Sequence, residues 1–389
     1  MEKKIRFATA ILNFSRAKGG AERYLIDLCT RMAQEDFEVH VYAVNWDDGV
    51  PGIHFHKVKT IPFFKSLRLL SFSIRATNAI VKSHYDVTLG VGNSLRADVL
   101  QPHGGVHWAW FWRSLKAYND PILWTIKFLG RILSPRQWVS GYIEDAPYKH
   151  HTFSKIVAIS EMVKKDIMHW YRIPEEQIIV VYNGVDTDRF HPRNYQYREE
   201  IRKRHGIGNE KMILFVSNNF RMKGLGFLMK ALVQIKEEGH FLFKLLILGR
   251  DHPRSYLRLA KKLELAEKVI FAGSTNEPEK YYGAADLLVH PTFYDACSLT
   301  VLEALASGLP AITTLSNGAS GVMSRNEGGR VIRDPKNLGE LKEGIQYYLG
   351  KEIRGHALHP KEEGIEDYSD RVNFNRMMGI FRGMARDSS

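Results

Sequence analysis

Asp286-Leu-Leu-Val-His290-Pro-Thr-Phe-Tyr-Asp295-Ala-Cys-Ser-Leu-Thr-Val-Leu-Glu303 runs from an apolar strand through a loop into an apolar-patterned helix. It sets two carboxylates eight positions apart. Free N–H groups at the start of such a helix suit a phosphate. Carboxylates suit sugar or ribose hydroxyls, because an ionised carboxylate only accepts and a diol can donate twice. The stretch predicts a pocket for a sugar joined to a diphosphate.

Outward from it the same alternation recurs. Strands are expected at Met212–Ser217, Phe243–Leu248, Lys268–Phe271, Asp286–His290 and Ala311–Thr314, each followed by a helical pattern. In the first half they are expected at Ile5–Leu12, Glu38–Val44, Asp86–Gly90, Ala97–Gln101 and Ile156–Ser160, with a helix over Ala21–Gln34. Such alternation reads as βαβ units on parallel sheets. A chain of 389 residues exceeds one ordinary core. The expected fold class is α/β, two Rossmann-like doubly wound domains facing across a cleft, where such sheets bind ligands at their carboxyl ends. The expected division is an N-terminal domain over 1–190 and a C-terminal domain over 191–370, with the polar stretch Asp188–Asn209 at the boundary. The basic segment 371–389 is expected to be a helix that crosses back to the first domain.

Bulk composition narrows the function classes. A chain that is 44% hydrophobic and 25% charged is a folded globular protein. A net charge of +12 calls for an anionic partner: nucleic acid, anionic lipid or a phosphorylated metabolite. Cys29 and Cys297 are the only cysteines, which points to a reducing compartment and no disulfide framework. The apolar start Ile5–Leu12 reads as a buried strand, and no apolar run is long enough to span a bilayer. The expectation is a soluble or peripheral protein.

Further signals sit at the ends of these strands. In Asn218-Asn-Phe-Arg221-Met-Lys223-Gly224 two cations occupy a strand-to-helix turn, suited to a diphosphate. In Lys18-Gly19-Gly20 the glycines permit unusual φ and close approach of a ligand to backbone. His103 and His107 follow another strand; either suits a donor hydroxyl or a proton, with His107 preferred. Asp186-Thr-Asp188 spells a metal-type DxD, but at a domain boundary Asp188 is expected to cap a turn. No histidine spacing suits zinc, and no metal is expected. Five of the seven tryptophans (Trp108, Trp110, Trp112, Trp124, Trp138) are interleaved with Arg113, Lys116, Lys127, Arg131 and Arg136. That mixture describes a surface at an anionic headgroup layer, a packed core, or a stack for single-stranded bases.

Taken in order, Gly-Gly-Ala-Glu-Arg after the first strand, Tyr182-Asn-Gly-Val-Asp-Thr-Asp-Arg-Phe190, Phe-Arg-Met-Lys-Gly and the Asp-x7-Glu helix resemble the family 4 glycosyltransferases, retaining enzymes of GT-B fold. The likeness spans nearly the whole chain and is looser between about Ile53 and His151. Tyr294-Asp-Ala-Cys-Ser298 and the Gly-Gly-Val-His-Trp region are most similar to bacterial lipopolysaccharide core transferases.

The resemblance implies that Glu303 holds the ribose and Asp295 the donor sugar. It also implies that Ala296, Cys297, Ser298 and Leu299 offer backbone to the diphosphate together with Arg221 and Lys223. Gly19 and Gly20 would line the catalytic side, and His103 or His107 would stand near the donor. By the same resemblance the donor is a UDP-sugar, with UDP-glucose foremost, and no cofactor or essential metal takes part. The acceptor is a sugar of a lipid-linked oligosaccharide. The place of action is cytoplasmic, peripheral at the inner face of the cytoplasmic membrane, through an anionic surface bound by Trp108–Trp138. Two positions depart from the family. Asp295 stands where glutamate is usual, and Asn218 stands five residues before the lysine where arginine is common. The rival readings are a GT-B transferase with a small soluble acceptor and, from another class, a basic nucleic-acid-binding protein. The charge is spread over both halves and no nucleic-acid motif occurs, so no nucleic-acid partner is expected.

Overall fold

A computed structural model describes residues 4–16, 19–47, 50–239, 241–323, 328–350 and 364–387, and within them the strands sort into two parallel sheets. The chain divides into two units. One comprises the chain up to Val181 with the residues from Phe374 onward, and the other Tyr182–Asn373.

The first unit contains β1 (Ile5–Phe14), α1 (Gly20–Met32), β2 (Phe37–Trp46), β3 (Ile53–Lys57), α2 (Lys65–Ser83), β4 (Val87–Gly90) and β5 (Val99–Leu100). There follow α3 (His107–Leu115), α4 (Pro121–Ile132), α5 (Pro135–Lys149), β6 (Lys155–Ala158), α6 (Glu161–Tyr171) and β7 (Ile178–Val180). Among the described residues the strand order is β3-β2-β1-β4-β5-β6-β7. Leu25, Leu28, Cys29 and Met32 recur at helical spacing on α1 and are buried against Phe7, Ile11, Val39 and Val41. Met377, Met378 and Phe381, from the part of the C-terminal helix that belongs to this unit, join the same core, with the Phe381 ring 5.2 Å from Phe7.

The second unit contains α7 (Arg198–Arg204), β8 (Lys211–Val216), α8 (Leu225–Glu238), β9 (Phe243–Leu248), α9 (Arg254–Lys262), β10 (Val269–Gly273) and α10 (Pro278–Ala284). It continues through β11 (Leu287–His290), α11 (Leu299–Ala306), β12 (Ala311–Thr314), α12 (Ser320–Met323), β13 (Gly329–Ile332) and α13 (Leu338–Gly350). α14 (Asp370–Asp387) ends the described chain. The order β10-β9-β8-β11-β12-β13 reverses between β8 and β11. At such a switch the loops leaving the two strands diverge and open a crevice at their carboxyl ends. Leu225, Leu228, Met229, Leu232 and Ile235 of α8 are buried against Ile213, Phe215, Leu245, Ile247 and Val289.

Three details differ from the expectations. β13 was not foreseen, because Gly329-Arg-Val-Ile carries only two apolar residues in a row. β7 is the last strand of the first sheet, paired with β6, and was not among the strands expected. The units also part at Val181/Tyr182 instead of near 190. Tyr182–Phe190 is tied to the second unit: Asn183 Nδ2 donates to Cys297 O at 3.2 Å, Arg189 Nε to Glu279 Oε2 at 2.9 Å, and the Phe190 ring lies 5.6 Å from Tyr282.

Candidate functional site

The turn leaving β8 and the loop leaving β11 meet at the switch point of the second sheet. Gly224 closes the turn with φ +78°, and a Cβ there would stand 2.1 Å from Pro291 O. Only glycine lets the two backbones approach so closely. Phe293 N donates to Met222 O at 2.9 Å and completes the seam.

Across it, Lys223 Nζ donates to Asp295 Oδ2 at 2.5 Å and to Tyr294 O at 3.0 Å. His290, at the end of β11, reaches the same Oδ2 through Nε2 at 3.4 Å. The Asp295 backbone is fixed as well, its N–H donating to Ser316 O and its carbonyl accepting from Gly318 N. Burial alone would raise the Asp295 pKa, but the Lys223 charge and the His290 contact outweigh it and hold the carboxyl well below the usual range. Asp295 is therefore ionised and acceptor-only at neutral pH.

α11 begins right after this loop, and no side chain caps it. Ser298 Oγ is engaged with Thr300 Oγ1 at 2.7 Å, so the first-turn amides of Leu299, Thr300 and Val301 point out without a capping side chain. Asn317 sets the entry angle. Its Oδ1 accepts from Ser298 N at 3.2 Å and Ala319 N at 3.1 Å, and its Nδ2 donates to Thr313 Oγ1 at 2.9 Å. Glu303 lies further along α11, half-buried, and accepts from Tyr282 Oη at 2.7 Å. Ala296 and Cys297 are buried, and burial pushes the Cys297 thiol up to about 12, so it is a packing group and not a nucleophile.

The structure thus gathers Asp295, Lys223, Ala296, Cys297, Ser298, Leu299 and Glu303 within one strand–loop–helix and its neighbouring turn. Lys223 differs in detail from the expectation of a cation aimed only at a diphosphate. Two of its three donors are taken by Asp295 and Tyr294, because the Gly224 turn seats it against them. Arg221 is exposed on the same turn. Asn218 braces that turn, its Oδ1 accepting from Arg250 N at 2.9 Å. In the segment read as the domain boundary the turn cap is Asp186 and not Asp188. Asp186 Oδ1 accepts from the N–H groups of Asp188 and Arg189, the i+2 and i+3 positions a carboxylate reaches most readily. His290, Tyr282, Asn183 and Asn317 were given no role by the sequence reading. For His290 the signal was present: a polar residue ending an otherwise apolar, wholly buried strand.

The first unit carries the remaining candidates. Lys18 lies outside the described residues. Gly19 is extended at φ −168°, a conformation open to any residue, so the expected need for unusual φ does not hold there. At Gly20, the first residue of α1, a Cβ would meet nothing within 4 Å, which leaves bare backbone at an uncapped helix start.

His103 packs its ring 4.2 Å from Tyr24, and burial pushes its pKa down to about 4. His107 opens α3, and burial lowers its pKa too. The Nε2 atoms of both histidines are buried without a hydrogen-bond partner.

The His107 backbone N–H donates at 2.7 Å to Glu144 Oε1, which also accepts from Tyr171 Oη at 2.7 Å. Burial pushes Glu144 up to about 7 in spite of those two donors. A carboxyl whose folded pKa is raised holds its proton longer in the native state, so stability falls as pH climbs from about 4.5 to 7 and stays lower above. Glu144→Gln is expected to gain about 2–3 kcal/mol at pH 8. The gain should vanish near pH 5, read as melting temperature against pH. An equal gain at both pH values would contradict a neutralised Glu144.

The tryptophan-rich segment divides into a packed part and an exposed part. Trp108 Nε1 donates to Asp145, and Trp110 lies under the Arg131 guanidinium at 4.8 Å. Arg113 and Arg131, read earlier among surface cations, turn inward. Arg113 makes a bidentate pair with Asp166 at 2.6 Å, and Arg131 donates to Phe111 O at 2.7 Å, because each satisfies a polar group inside the packing. α4 is the opposite case, with no buried residue among Pro121–Ile132. Ile122, Leu123, Ile126, Leu129 and Leu133 are exposed there, with Trp138 nearby in sequence and Lys116, Lys127 and Arg136 exposed within and beside this stretch of the chain. Among the described residues no helix is long and apolar enough to cross a membrane.

Known proteins share both halves of this architecture. Residues 18–189 match the domain described as Glycosyltransferase Family 4, and residues 197–366 match Glycosyl transferases group 1. Lipopolysaccharide glucosyltransferase WaaG of Escherichia coli (strain K12) is 24% identical over 334 residues, 85% of this chain and 86% of that protein. A crystal structure of WaaG, described as involved in lipopolysaccharide biosynthesis, superposes with a TM-score of 0.72 at 20% identity, covering 97% of this chain and all of that one. Anabaena Alr3699/HepE in complex with UDP and glucose superposes at 0.68 with 17% identity, covering 97% and 99%. At such identities the two superpositions speak for the fold, the two-sheet GT-B architecture.

Proposed function

Because this chain belongs to the glycosyltransferases that join a family 4 domain to a group 1 domain, we propose that it moves a hexose from a nucleotide sugar to a sugar of a lipid-linked glycan. The donor proposed is UDP-glucose, the outcome retention of configuration, and the leaving diphosphate needs no essential metal. One observation carries the reading: an ionised Asp295 clamped by Lys223 beside the uncapped start of α11, with Glu303 further along the same helix.

In this reading Glu303 accepts from the ribose hydroxyls and Asp295 from a hydroxyl of the sugar. The amides following Ser298, the remaining donor of Lys223 and the exposed Arg221 meet the diphosphate. Charge grows on that group as the glycosidic bond breaks, and donors already in place stabilise it without reorganising. The departing phosphate takes the acceptor proton. In the first unit Gly19 and Gly20 offer ligand-facing backbone, and His107, or alternatively His103, meets a sugar hydroxyl as a neutral imidazole. The apolar face of α4 with Lys116, Lys127 and Arg136 supports peripheral attachment to an anionic membrane, at its cytoplasmic face.

The test is a melting-temperature screen of UDP-, GDP- and ADP-sugars. A donor at a hundred times its dissociation constant stabilises the native state by about 2.7 kcal/mol. A UDP-sugar is expected to raise the melting temperature most. A flat response to all three classes would overturn the donor assignment.

A further inference from the structure

Asp295 has two oxygens, and its protein partners share one. Lys223 Nζ and His290 Nε2 both address Oδ2, at 2.5 and 3.4 Å, while Oδ1 accepts from no described residue. His290 is buried to 1% exposure, and its Nδ1 has no hydrogen-bond partner.

Only one protonation pattern suits those facts. Desolvation lowers the His290 pKa, with Asp295 opposing and Lys223 adding to the effect, so the ring is neutral at pH 7 and carries one N–H. A carboxylate cannot donate, so the proton sits on Nε2 and Nδ1 keeps a bare lone pair. A buried nitrogen left without a partner costs stability. A leucine or phenylalanine ending β11 would avoid that cost, since the neighbouring strand residues Leu287, Leu288 and Val289 are apolar and Phe215 stacks near the ring at 6.3 Å. The backbone that carries the imidazole is held as well. The His290 carbonyl accepts from Thr313 Oγ1 at 2.9 Å and from Thr292 N at 2.8 Å.

We propose that His290 is a positioning residue for the donor sugar: with Lys223 it pins Oδ2 of Asp295, so that Oδ1 alone is presented to a single sugar hydroxyl. This rests on the reading of Asp295 as the carboxylate that meets the sugar. Lys223 by itself leaves the carboxylate free to rotate about its contact. A second donor from the sheet fixes the plane of the group, and orientation of that kind separates a sugar-bearing ligand from the bare nucleotide.

The experiment compares binding of UDP-glucose and of UDP by titration calorimetry in wild type, His290→Phe, His290→Gln, His290→Asn and Asp295→Asn. Phenylalanine keeps the ring volume beside Phe215 and removes the donor. Glutamine returns an N–H near the Nε2 position, whereas asparagine is too short to reach Asp295. The expected result is about a tenfold loss of UDP-glucose affinity in His290→Phe and His290→Asn, with UDP affinity unchanged and most of the loss restored in His290→Gln. Equal losses for UDP and UDP-glucose, or glutamine and asparagine behaving alike, would overturn the proposal as a merely structural effect. Should the phenylalanine variant fail to fold, the glutamine and asparagine pair decides. If Asp295→Asn binds both ligands as wild type does, the reading of Asp295 itself fails. If only the His290 variants are silent, that reading stands and the positioning role falls.

Discussion

Lys223→Ala is expected to lower kcat/KM by roughly a hundred- to a thousandfold, the range found when one preorganised donor to a developing oxyanion is removed. Two losses combine. On the proposed function the diphosphate gives up a cation, and Asp295 gives up the charge that keeps it ionised against its own burial. Breaking such a pair, with side chains only 14% and 20% exposed, leaves an uncompensated carboxylate and should cost about 3 kcal/mol of stability. That cost should shrink at low pH. A group with a depressed folded pKa stabilises above its unfolded pKa near 3.9 and loses that contribution as acid protonates it. The variant and wild type should converge in melting temperature as pH falls below about 4. Near-normal turnover of a folded variant would refute the role assigned to Lys223.

Ile126→Glu combined with Leu129→Glu is expected to abolish flotation with anionic liposomes while leaving the fold intact. Ile126 is 57% exposed and Leu129 50%, so the folded protein depends little on either, and the unfolding free energy should stay within about 0.5 kcal/mol of wild type. Burying the exposed half of two large apolar side chains in a headgroup layer is worth about 2–3 kcal/mol, so losing them should weaken partitioning by roughly thirty- to a hundredfold. Transfer to a lipid-linked acceptor should fall in parallel, and hydrolysis of the sugar nucleotide should not. Flotation unchanged by the double substitution would contradict α4 as the attachment face, and a wild type that does not float would favour a small soluble acceptor.

Much of the second unit was legible because its chemistry is contiguous in the chain. Asp295, the helix start and Glu303 lie within nine residues, and the strand before them is a plain apolar run. Lys223 was legible as a cation on a strand-to-helix turn. What it touches was not, because the 2.5 Å contact with Asp295 depends on Gly224 admitting Pro291, a fact of three-dimensional approach. His290 read as the close of a buried strand, since nothing local in sequence shows that its imidazole turns back toward a residue five positions on. Asp186 took the turn-capping role expected of Asp188 for a local reason, the reach of a carboxylate to the N–H groups two and three residues on.

In the first unit the histidines were visible and their environment was not. Glu144 lies 37 residues from His107 and reaches its backbone only because α5 packs beside α3. The tryptophan segment shows the limit of composition. Arg113 and Arg131 look like Lys127 in sequence but are spent internally, whereas the apolar residues of α4 stay outside.

The most direct measurement of the central claim is a crystal structure with a bound nucleotide sugar. The account predicts the two phosphates within hydrogen-bond distance of the amides that open α11, the ribose on Glu303, and a sugar hydroxyl on Oδ1 of Asp295. A nucleotide bound away from α11, with Asp295 and Glu303 untouched, would contradict it.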